Sequence, residues 1–324
     1  MKITVVGAGN VGATVAQVLA NRELANEIWL VDIAEGVAKG KALDMYESMP
    51  IYASSSKIYG TSDYAPTAGS DIVVITAGLA RRPGMTRDDL LIKNATIVSE
   101  CAENAFKYSP NAIFIVVSNP LDVMTYVTLK KTDLPKNKVI GMAGILDTAR
   151  YRSFIAIELN VSVKDVNALV LGGHGDTMVP LPRYTTVAGI PITELISEER
   201  MNAIVERAAK GGIEIVNYLQ TGSAYYAPGT AAVEMVEAIV KDQNRILPCT
   251  VLLDGEYGFN DVCIGVPVIL GKDGVKEVIE LKLNEDEMTL FKNSAEHVKT
   301  TIVQAMELIG AFTRYHDNAE HDID

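Results

Sequence analysis

The sequence contains few cysteines, no long apolar stretch and no excess of positive charge. Its three cysteines, Cys101, Cys249 and Cys263, are odd in number and lack the spacing of metal ligands. We therefore expect reduced, buried thiols, with neither disulfides nor a bound metal. Apolar runs such as residues 112–117 are far shorter than a membrane span, and the amino terminus leaves no room for a leader. These features predict a cytoplasmic protein.

The charge of the chain excludes further classes of partner. Its 324 residues include 41 Asp or Glu and 29 Lys or Arg, which gives a formal net charge of -12. Binding to nucleic acid or to an anionic membrane surface requires a concentrated basic face, which is not expected in so acidic a chain. Neither nucleic acid nor a membrane is therefore an expected partner.

The first half of the chain alternates short runs rich in Val and Ile with longer helical patterns. Runs such as "KITVVG", "DIVVITAG" and "AIFIVVSN" are apolar throughout, which is typical of parallel strands buried on both faces of a sheet. This alternation predicts a doubly wound, Rossmann-type α/β domain over residues 1–144. From residue 145 long helices and later strands predict an α+β substrate-binding domain over residues 145–324.

The first chemical motif lies directly after the first apolar run. Gly7, Gly9 and Gly12 form G-x-G-x-x-G, in which the glycines allow a tight turn and a close approach to a pyrophosphate. Asp32 ends the second run, about 20 residues further on, where an acid can bind both ribose hydroxyls. Its charge disfavours a 2'-phosphate, and no arginine follows it closely, so NAD is favoured over NADP. The alternative is a carboxylate that merely ends a strand.

A nicotinamide cofactor implies hydride transfer, which leaves a proton for an acid or base to move. Histidine does this near neutral pH. Of the four histidines, His316 and His321 lie in a polar tail and His297 lies within the last predicted helix. His174, among the glycines of "GGHGDTMVP", is the one at a plausible cleft position. The alternative is a histidine in a turn at the end of a strand.

Two further groups of charged residues are candidates for a site. Asp147 and Arg150 are three apart and share one face of a predicted helix, so one can orient the histidine while the other holds a substrate anion. Arg81, Arg82 and Arg87 lie in "ARRPGMTR", a predicted lid at the ligand edge of the sheet. A surface ion pair and a solvated loop are the alternatives.

Taken together in this order and spacing, the motifs resemble those of the lactate/malate dehydrogenase family over essentially the whole chain. The form "GAGNVG" is similar to that of the lactate-dehydrogenase-like bacterial branch. The resemblance implies that His174 donates and accepts the proton, with Asp147 as its carboxylate partner. It implies that Arg150 binds the substrate carboxylate and that Arg87 polarises the reacting oxygen. Asn119, in "SNP", would contact the substrate or the nicotinamide.

The resemblance also implies a set of NAD contacts and a form of assembly. A homotetramer is expected, with a dimer as the alternative, and the partners are a small-molecule substrate and further copies of the chain. The expected cofactor-binding residues are Gly7, Gly9, Asn10, Val11, Gly12, Asp32, Thr76, Ala77, Gly78, Asn94, Val117 and Asn119.

The choice of substrate depends on Arg81. In this family its lid position meets the far end of the substrate, and lactate-specific members typically carry glutamine there. An arginine enclosed without a partner anion is unfavourable, so malate and oxaloacetate, a couple of the tricarboxylic acid cycle, are expected over lactate and pyruvate. Ser223 or Ala224 stands where lactate enzymes commonly carry threonine, which leaves that pocket wall unassigned. A dehydrogenase for lactate or another 2-hydroxy acid and a non-catalytic NAD-binding protein are the alternatives.

Overall fold

The computed structural model describes residues 1–79 and 87–321, with the side chains of residues 1–79 and 88–310. The strands are β1 Lys2–Val6, β2 Glu27–Val31, β3 Lys57–Thr61, β4 Ile72–Ile75, β5 Ile113–Val116, β6 Val139–Gly141, β7 Val166–Asn167, β8 Val170–Gly172, β9 Met178–Pro180, β10 Thr186–Val187, β11 Ile190–Pro191, β12 Arg245–Asp254, β13 Asn260–Gly271 and β14 Gly274–Val278. The helices are α1 Asn10–Asn21, α2 Glu35–Tyr52, α3 Arg87–Tyr108, α4 Leu121–Thr132, α5 Ala143–Leu159, α6 Glu198–Leu219, α7 Tyr226–Val240 and α8 Glu285–His321. Short 3₁₀ turns lie at Ala65–Thr67, Lys136–Lys138, Val163–Asp165, Pro182–Tyr184, Ile192–Glu194 and Glu256–Gly258.

The amino-terminal half is built on parallel strands in the order β3-β2-β1-β4-β5-β6. Every residue of β4 and β5 is apolar and buried, because helices cover both faces of a parallel sheet. The strand order reverses between β1 and β4, and a doubly wound sheet binds its ligand outside the strand ends at such a point. The predicted Rossmann-type class is confirmed.

The sheet does not end at β6. Among the described residues it continues through β12, β13, β8 and β9, with β14 beside β13, as one sheet of eleven strands. The added strands pair antiparallel, and β12 joins β6 where Thr250 faces Gly141. A separate small sheet in the order β11-β10-β7 lies in the same half. The carboxyl-terminal half is thus the α+β unit that the sequence predicted.

Helix α5 runs through the predicted domain boundary between residues 144 and 145. The position of that boundary stays a prediction. The backbone of α8 reaches His321, so His316 and His321 lie on a helix where the sequence indicated a polar tail. No helix in the described part of the chain is both long and apolar enough to cross a membrane.

Gly60 of β3 packs against the backbone of α2. A Cβ atom placed there would lie 2.3 Å from the carbonyl carbon of Ala38. We expect Gly60→Ala to lower the free energy of unfolding by about 1–3 kcal/mol, because the helix backbone has to shift. Gly40→Ala, within α2 and with no atom within 4 Å of its added Cβ, should instead raise it by up to about 1 kcal/mol. Chemical denaturation measures both, and equal midpoints would contradict this packing.

Candidate active site

The glycine-rich turn joins the carboxyl end of β1 to α1. Gly7 has a φ of +103°, and a Cβ there would lie 2.8 Å from the backbone nitrogen of Ala77. A Cβ at Gly12 would lie 1.8 Å from the carbonyl oxygen of Gly7. Both positions therefore require glycine, one because of its backbone conformation and the close contact, the other because α1 lies against the turn.

Gly9 is different, because an added Cβ would meet no atom within 4 Å. Gly9 precedes α1, whose first turn has no side-chain cap, so its N–H groups are left for an anion at the positive end of the helix. The turn borders a cavity of about 570 Å³. Its lining includes Gly9, Asn10, Val11, Gly12, Thr76, Ala77, Gly78, Asn94, Val117 and Asn119. The open space at Gly9 and the uncapped helix fit a pyrophosphate.

Asp32 and Gly7 are not among the residues that line this cavity. The Asp32 carboxylate accepts hydrogen bonds from the N–H groups of Ala8, at 2.7 Å, and Ala34, at 2.9 Å. Lys41 of α2 donates to the carbonyl oxygen of Ala8 at 2.8 Å. The peptide units of Ala8 are thus held from both sides. Lys41 had no signal in the sequence motifs, because it acts on a backbone atom 33 residues away.

Asn94 ties together the ends of two strands. Its Oδ1 accepts from the N–H of Leu79 at 2.7 Å, and its Nδ2 donates to the carbonyl oxygen of Asn119 at 2.9 Å. Leu79 follows β4, whereas Asn119 follows β5. Asn94 therefore shapes the wall of the cavity in addition to lining it.

His174 lies in the loop that follows β8, and its ring meets a carboxylate of α5. The Nδ1 atom is 2.9 Å from Oδ2 of Asp147, whose side chain is buried. A carboxylate only accepts, so Nδ1 carries a proton and Nε2 is the nitrogen that can exchange one. The arrangement makes the imidazole an acid or base with a fixed tautomer.

Arg150 is the nearest described cation to this pair. Its Nη1 lies 3.6 Å from Oδ1 of Asp147, and 13% of its side chain is exposed. Gly211 of α6 leaves room for it, since a Cβ there would lie 3.1 Å from Cδ of Arg150. Asp147 and Arg150 thus form a partly buried group with His174 and not a surface ion pair.

Burial and the charges around His174 shift the pKa of its imidazole in opposite directions. Burial by itself lowers the pKa of the imidazole, whereas the Asp147 carboxylate, its hydrogen bond and the nearby Asp122 carboxylate raise it. Arg150 acts against them, and the balance leaves the pKa of His174 above its usual value. Burial lowers the pKa of Arg150, which the charge of Asp147 opposes. The imidazolium form therefore persists to a higher pH than in an unperturbed histidine.

His174 lines a second cavity, of about 830 Å³. This cavity shares Leu90, Asn119 and Pro120 with the first. The imidazole and the glycine-rich turn therefore open onto adjoining spaces, and Asn119 lies where they meet.

The remaining predicted site residues are Ser223, Ala224 and the three arginines of the predicted lid. Ser223 lines the first cavity, whereas Ala224 is not part of its lining. Arg87 is the first residue of α3, and its side chain lies outside the described residues. Arg81 and Arg82 also lie outside them. Among the described residues no cluster of three or more His, Cys, Asp or Glu is arranged to hold a metal ion.

Sequence reasoning missed Asp122. This carboxylate is buried at the start of α4 and accepts hydrogen bonds from the N–H of His174, at 2.8 Å, and from Oγ1 of Thr250, at 2.6 Å. The one available signal was a carboxylate three residues after Asn119, at the end of a buried strand. Its partners are 52 and 128 residues away.

Both halves of the chain match models of known protein domains. Residues 1–141 match the model of the lactate/malate dehydrogenase NAD binding domain, and residues 145–309 match that of the alpha/beta C-terminal domain of the same enzymes. The chain belongs to the lactate/malate dehydrogenase family. Membership confirms the predicted resemblance and the choice of NAD, and it makes this lactate/malate dehydrogenase homologue an NAD-dependent oxidoreductase.

Individual relatives agree over nearly the full length. A malate dehydrogenase of Chloroherpeton thalassium is 61% identical over 299 residues, 92% of this chain and 96% of that one. The malate dehydrogenase structure from Salinibacter ruber has a TM-score of 0.91 at 56% identity and covers 95% of this chain and 98% of that chain. A Cryptosporidium parvum lactate dehydrogenase, complexed with lactic acid and β-nicotinamide adenine dinucleotide, has a TM-score of 0.90 at 43% identity, covering 94% and 97%.

The contrast between Gly9 and Gly12 yields a prediction about NADH. Gly9→Ala should leave the free energy of unfolding within about 1 kcal/mol of the parent but weaken NADH binding at least tenfold, because its Cβ enters the space left for the pyrophosphate. Gly12→Ala should lower both stability and affinity, since its Cβ meets the backbone of Gly7. Fluorescence titration and denaturation measure the two effects. Undiminished NADH affinity in Gly9→Ala would contradict this placement of the cofactor.

Proposed function

We propose that the chain catalyses the reversible oxidation of L-malate to oxaloacetate with NAD. The observation that carries the proposal is the His174 and Asp147 pair, 2.9 Å apart, which opens onto a cavity adjoining the glycine-rich turn. Relatives named malate dehydrogenase, at 56–61% identity over nearly the whole chain, support the choice of substrate.

Each residue of the site has its own part in the proposed reaction. NAD, held at the glycine-rich turn, would supply the acceptor for the hydride from C2 of the substrate. His174 takes the hydroxyl proton at Nε2 during oxidation and returns it during reduction, while Asp147 stabilises the imidazolium. Arg150 binds the carboxylate next to the reacting carbon. Arg87 polarises the oxygen on C2, and Asn119, where the two cavities meet, orients the substrate against the nicotinamide.

The raised pKa of His174 suits the direction of reduction. Oxaloacetate reduction needs the imidazolium as acid, and this form persists to a higher pH when the pKa is raised. Malate oxidation needs the neutral ring, so its rate should rise as the pH increases through the same pKa.

The substrate test follows NADH absorbance with oxaloacetate and then with pyruvate under the same conditions. Rapid oxidation with oxaloacetate and slow oxidation with pyruvate supports the proposal. The opposite preference would make the chain a lactate dehydrogenase with the same chemistry, as in the Cryptosporidium parvum relative. NADH binding without oxidation by either substrate would indicate a non-catalytic protein.

Assembly, location and domain division belong to the same proposal. We propose a homotetramer that acts in the cytoplasm, in the tricarboxylic acid cycle, with residues 1–144 for NAD and 145–324 for the substrate. Exposed apolar side chains on α2 and α6 support contacts between copies. They include Leu43, Tyr46, Ile51 and Tyr52 on α2, and Ile213, Val216, Tyr218 and Leu219 on α6. Sedimentation of the purified chain tests the assembly, and a monomer would contradict it.

The role of His174 is tested against the other histidine of its cavity. His174→Asn should lower kcat by about 10²- to 10⁴-fold, because no group remains to move the proton, while the Kd for NADH stays unchanged. His297→Asn, on α8 and also lining the cavity, should leave kcat within about twofold. Steady-state kinetics and fluorescence titration measure both. A larger loss of kcat in His297→Asn would transfer the role to that residue.

The role of Arg81 is tested through the ratio of kcat/KM for oxaloacetate to that for pyruvate. Arg81→Gln should lower this ratio by roughly 100-fold, because the second carboxylate of oxaloacetate loses its partner. Arg82→Gln, which changes the neighbouring charge in the same way, serves as the control and should leave the ratio unchanged. Equal effects of the two substitutions would remove Arg81 from the specificity argument.

A further inference from the structure

We propose that Asp122 is a positioning residue for this reaction, whose carboxylate fixes the backbone of His174 and whose charge favours the protonated imidazole. The inference rests on the proposed function, in which His174 moves the proton. Asp122 meets the backbone N–H of His174, whereas Asp147 meets the ring at Nδ1, and Asp122 also lines the cavity of His174. It acts through His174 and is given no contact with the substrate.

The carboxylate joins three elements of the fold. Asp122 lies in the first turn of α4, one residue after that helix begins. Its Oδ2 accepts from the N–H of His174 at 2.8 Å, in the loop after β8, and its Oδ1 accepts from Oγ1 of Thr250 at 2.6 Å, on β12. One buried side chain therefore sets the position of the histidine loop relative to a helix and a strand of the main sheet.

The loop needs such a contact because glycines surround the histidine. Gly172 and Gly175 have φ values of +87° and +99°, and Gly173 lies between Gly172 and His174. Glycine permits many backbone conformations, so the local sequence alone does not fix where the His174 backbone lies. The ring is held at Nδ1 by Asp147, but a ring contact fixes orientation only if the backbone behind it is also fixed. Asp122 supplies this second point at His174 itself, while the neighbouring Gly173 donates its N–H to Oγ of Ser294 at 2.8 Å.

The charge of Asp122 acts on His174 in addition to its hydrogen bonds. Burial leaves the pKa of Asp122 above its usual value, although its bonds from Thr250 and from the N–H of His174 oppose the shift. Both of these donors are neutral, and the described charged group that favours the Asp122 anion is the His174 imidazolium, while Asp147 opposes it. The start of α4 also favours an anion there. By reciprocity, the Asp122 anion favours the imidazolium.

Other charged and titratable groups lie around Asp122 and His174. Asp147 and Arg150 act on His174 from α5, and the same cavity is lined by His297 of α8, Asp88 of α3 and Asp176. Cys263 of β13 lies near Asp122, and burial raises the pKa of its thiol, so the thiol stays neutral. Removing the Asp122 charge while its shape remains should therefore lower the pKa of His174.

Asp122→Asn separates charge from position. Its amide oxygen can accept from the N–H of His174 while its Nδ2 donates to Oγ1 of Thr250, so the loop stays in place. With NADH saturating, kcat/KM for oxaloacetate falls at high pH as His174 loses its proton. We expect this fall in Asp122→Asn at a pH lower by on the order of 0.5 to 1 unit, with kcat at low pH within about threefold of the parent.

Thr250→Val tests position, with Thr128→Val as its control. Thr250 loses the hydroxyl that holds Oδ1 of Asp122, whereas the equally buried Thr128 hydroxyl bonds only within α4, to the carbonyl oxygen of Met124. We expect kcat to fall at least fivefold in Thr250→Val and less than twofold in Thr128→Val, with KM for NADH unchanged in both. If Asp122→Asn does not fold, Thr250→Val decides the positioning role.

A titration that does not depend on turnover completes the test. Nuclear magnetic resonance of histidine-labelled protein follows the His174 ring, identified by its absence in His174→Asn, in the parent and in Asp122→Asn. A lower His174 pKa in Asp122→Asn supports the proposal even if the parent does not reduce oxaloacetate, which would refute only the proposed function. Identical titrations and pH profiles would overturn the role of the charge. Equal kcat in Thr250→Val and Thr128→Val would overturn the positioning role.

Discussion

The pairing of β6 with β12 is the contact on which the site depends. It joins a parallel sheet to an antiparallel one at Thr250 and Gly141, where a Cβ on Gly141 would lie 2.8 Å from Cβ of Thr250. Because strands of one sheet lie about 5 Å apart, the pairing fixes the carboxyl-terminal half relative to the amino-terminal half through main-chain hydrogen bonds. The hydroxyl of Thr250, at this junction, is the group that holds Asp122.

A second close approach brings the histidine loop to the same place. Gly265 of β13 faces Gly172 of β8, and a Cβ on Gly265 would lie 2.7 Å from the carbonyl oxygen of Gly172. Larger residues would separate these strands, and His174 follows Gly172 by two positions. The strand contact thus fixes where the histidine loop begins, while Asp122 holds the backbone of His174 and Asp147 holds its ring. This arrangement explains how a histidine among glycines can have a definite orientation.

Local patterns in the sequence were sufficient for the class of fold and for the cofactor. The apolar runs predicted β4 and β5 because each strand is buried on both faces, and the glycine spacing predicted the turn because its three glycines lie within six residues. Asp147 and Arg150 were found for a similar reason, since helical spacing places them on one face. Lys41, Thr250 and Asp122 were missed, because each acts on a partner 33 to 128 residues away. The continuity of the sheet was missed as well, since the partner of a strand is not encoded in its own pattern. The roles assigned to the site residues and the boundary at residue 144 stay predictions.

The choice between malate and lactate requires a cation that the described residues lining the cavity do not supply. Malate and lactate share a hydroxyl on C2 and a carboxylate beside it, so the roles proposed for His174 and Arg150 would be the same for both. The two acids differ in a second carboxylate, which needs a further cation if it is to leave water. Among the described residues that line the cavity of His174 there is no Lys or Arg, since Arg150 lies beside Asp147 outside that lining, and the lining includes Asp88, Asp122 and Asp176. An arginine supplied from the segment that contains Arg81 would provide that cation. The proposed proton transfer and the proposed choice of substrate then depend on different elements. Substrate choice can therefore change while the proton transfer is retained.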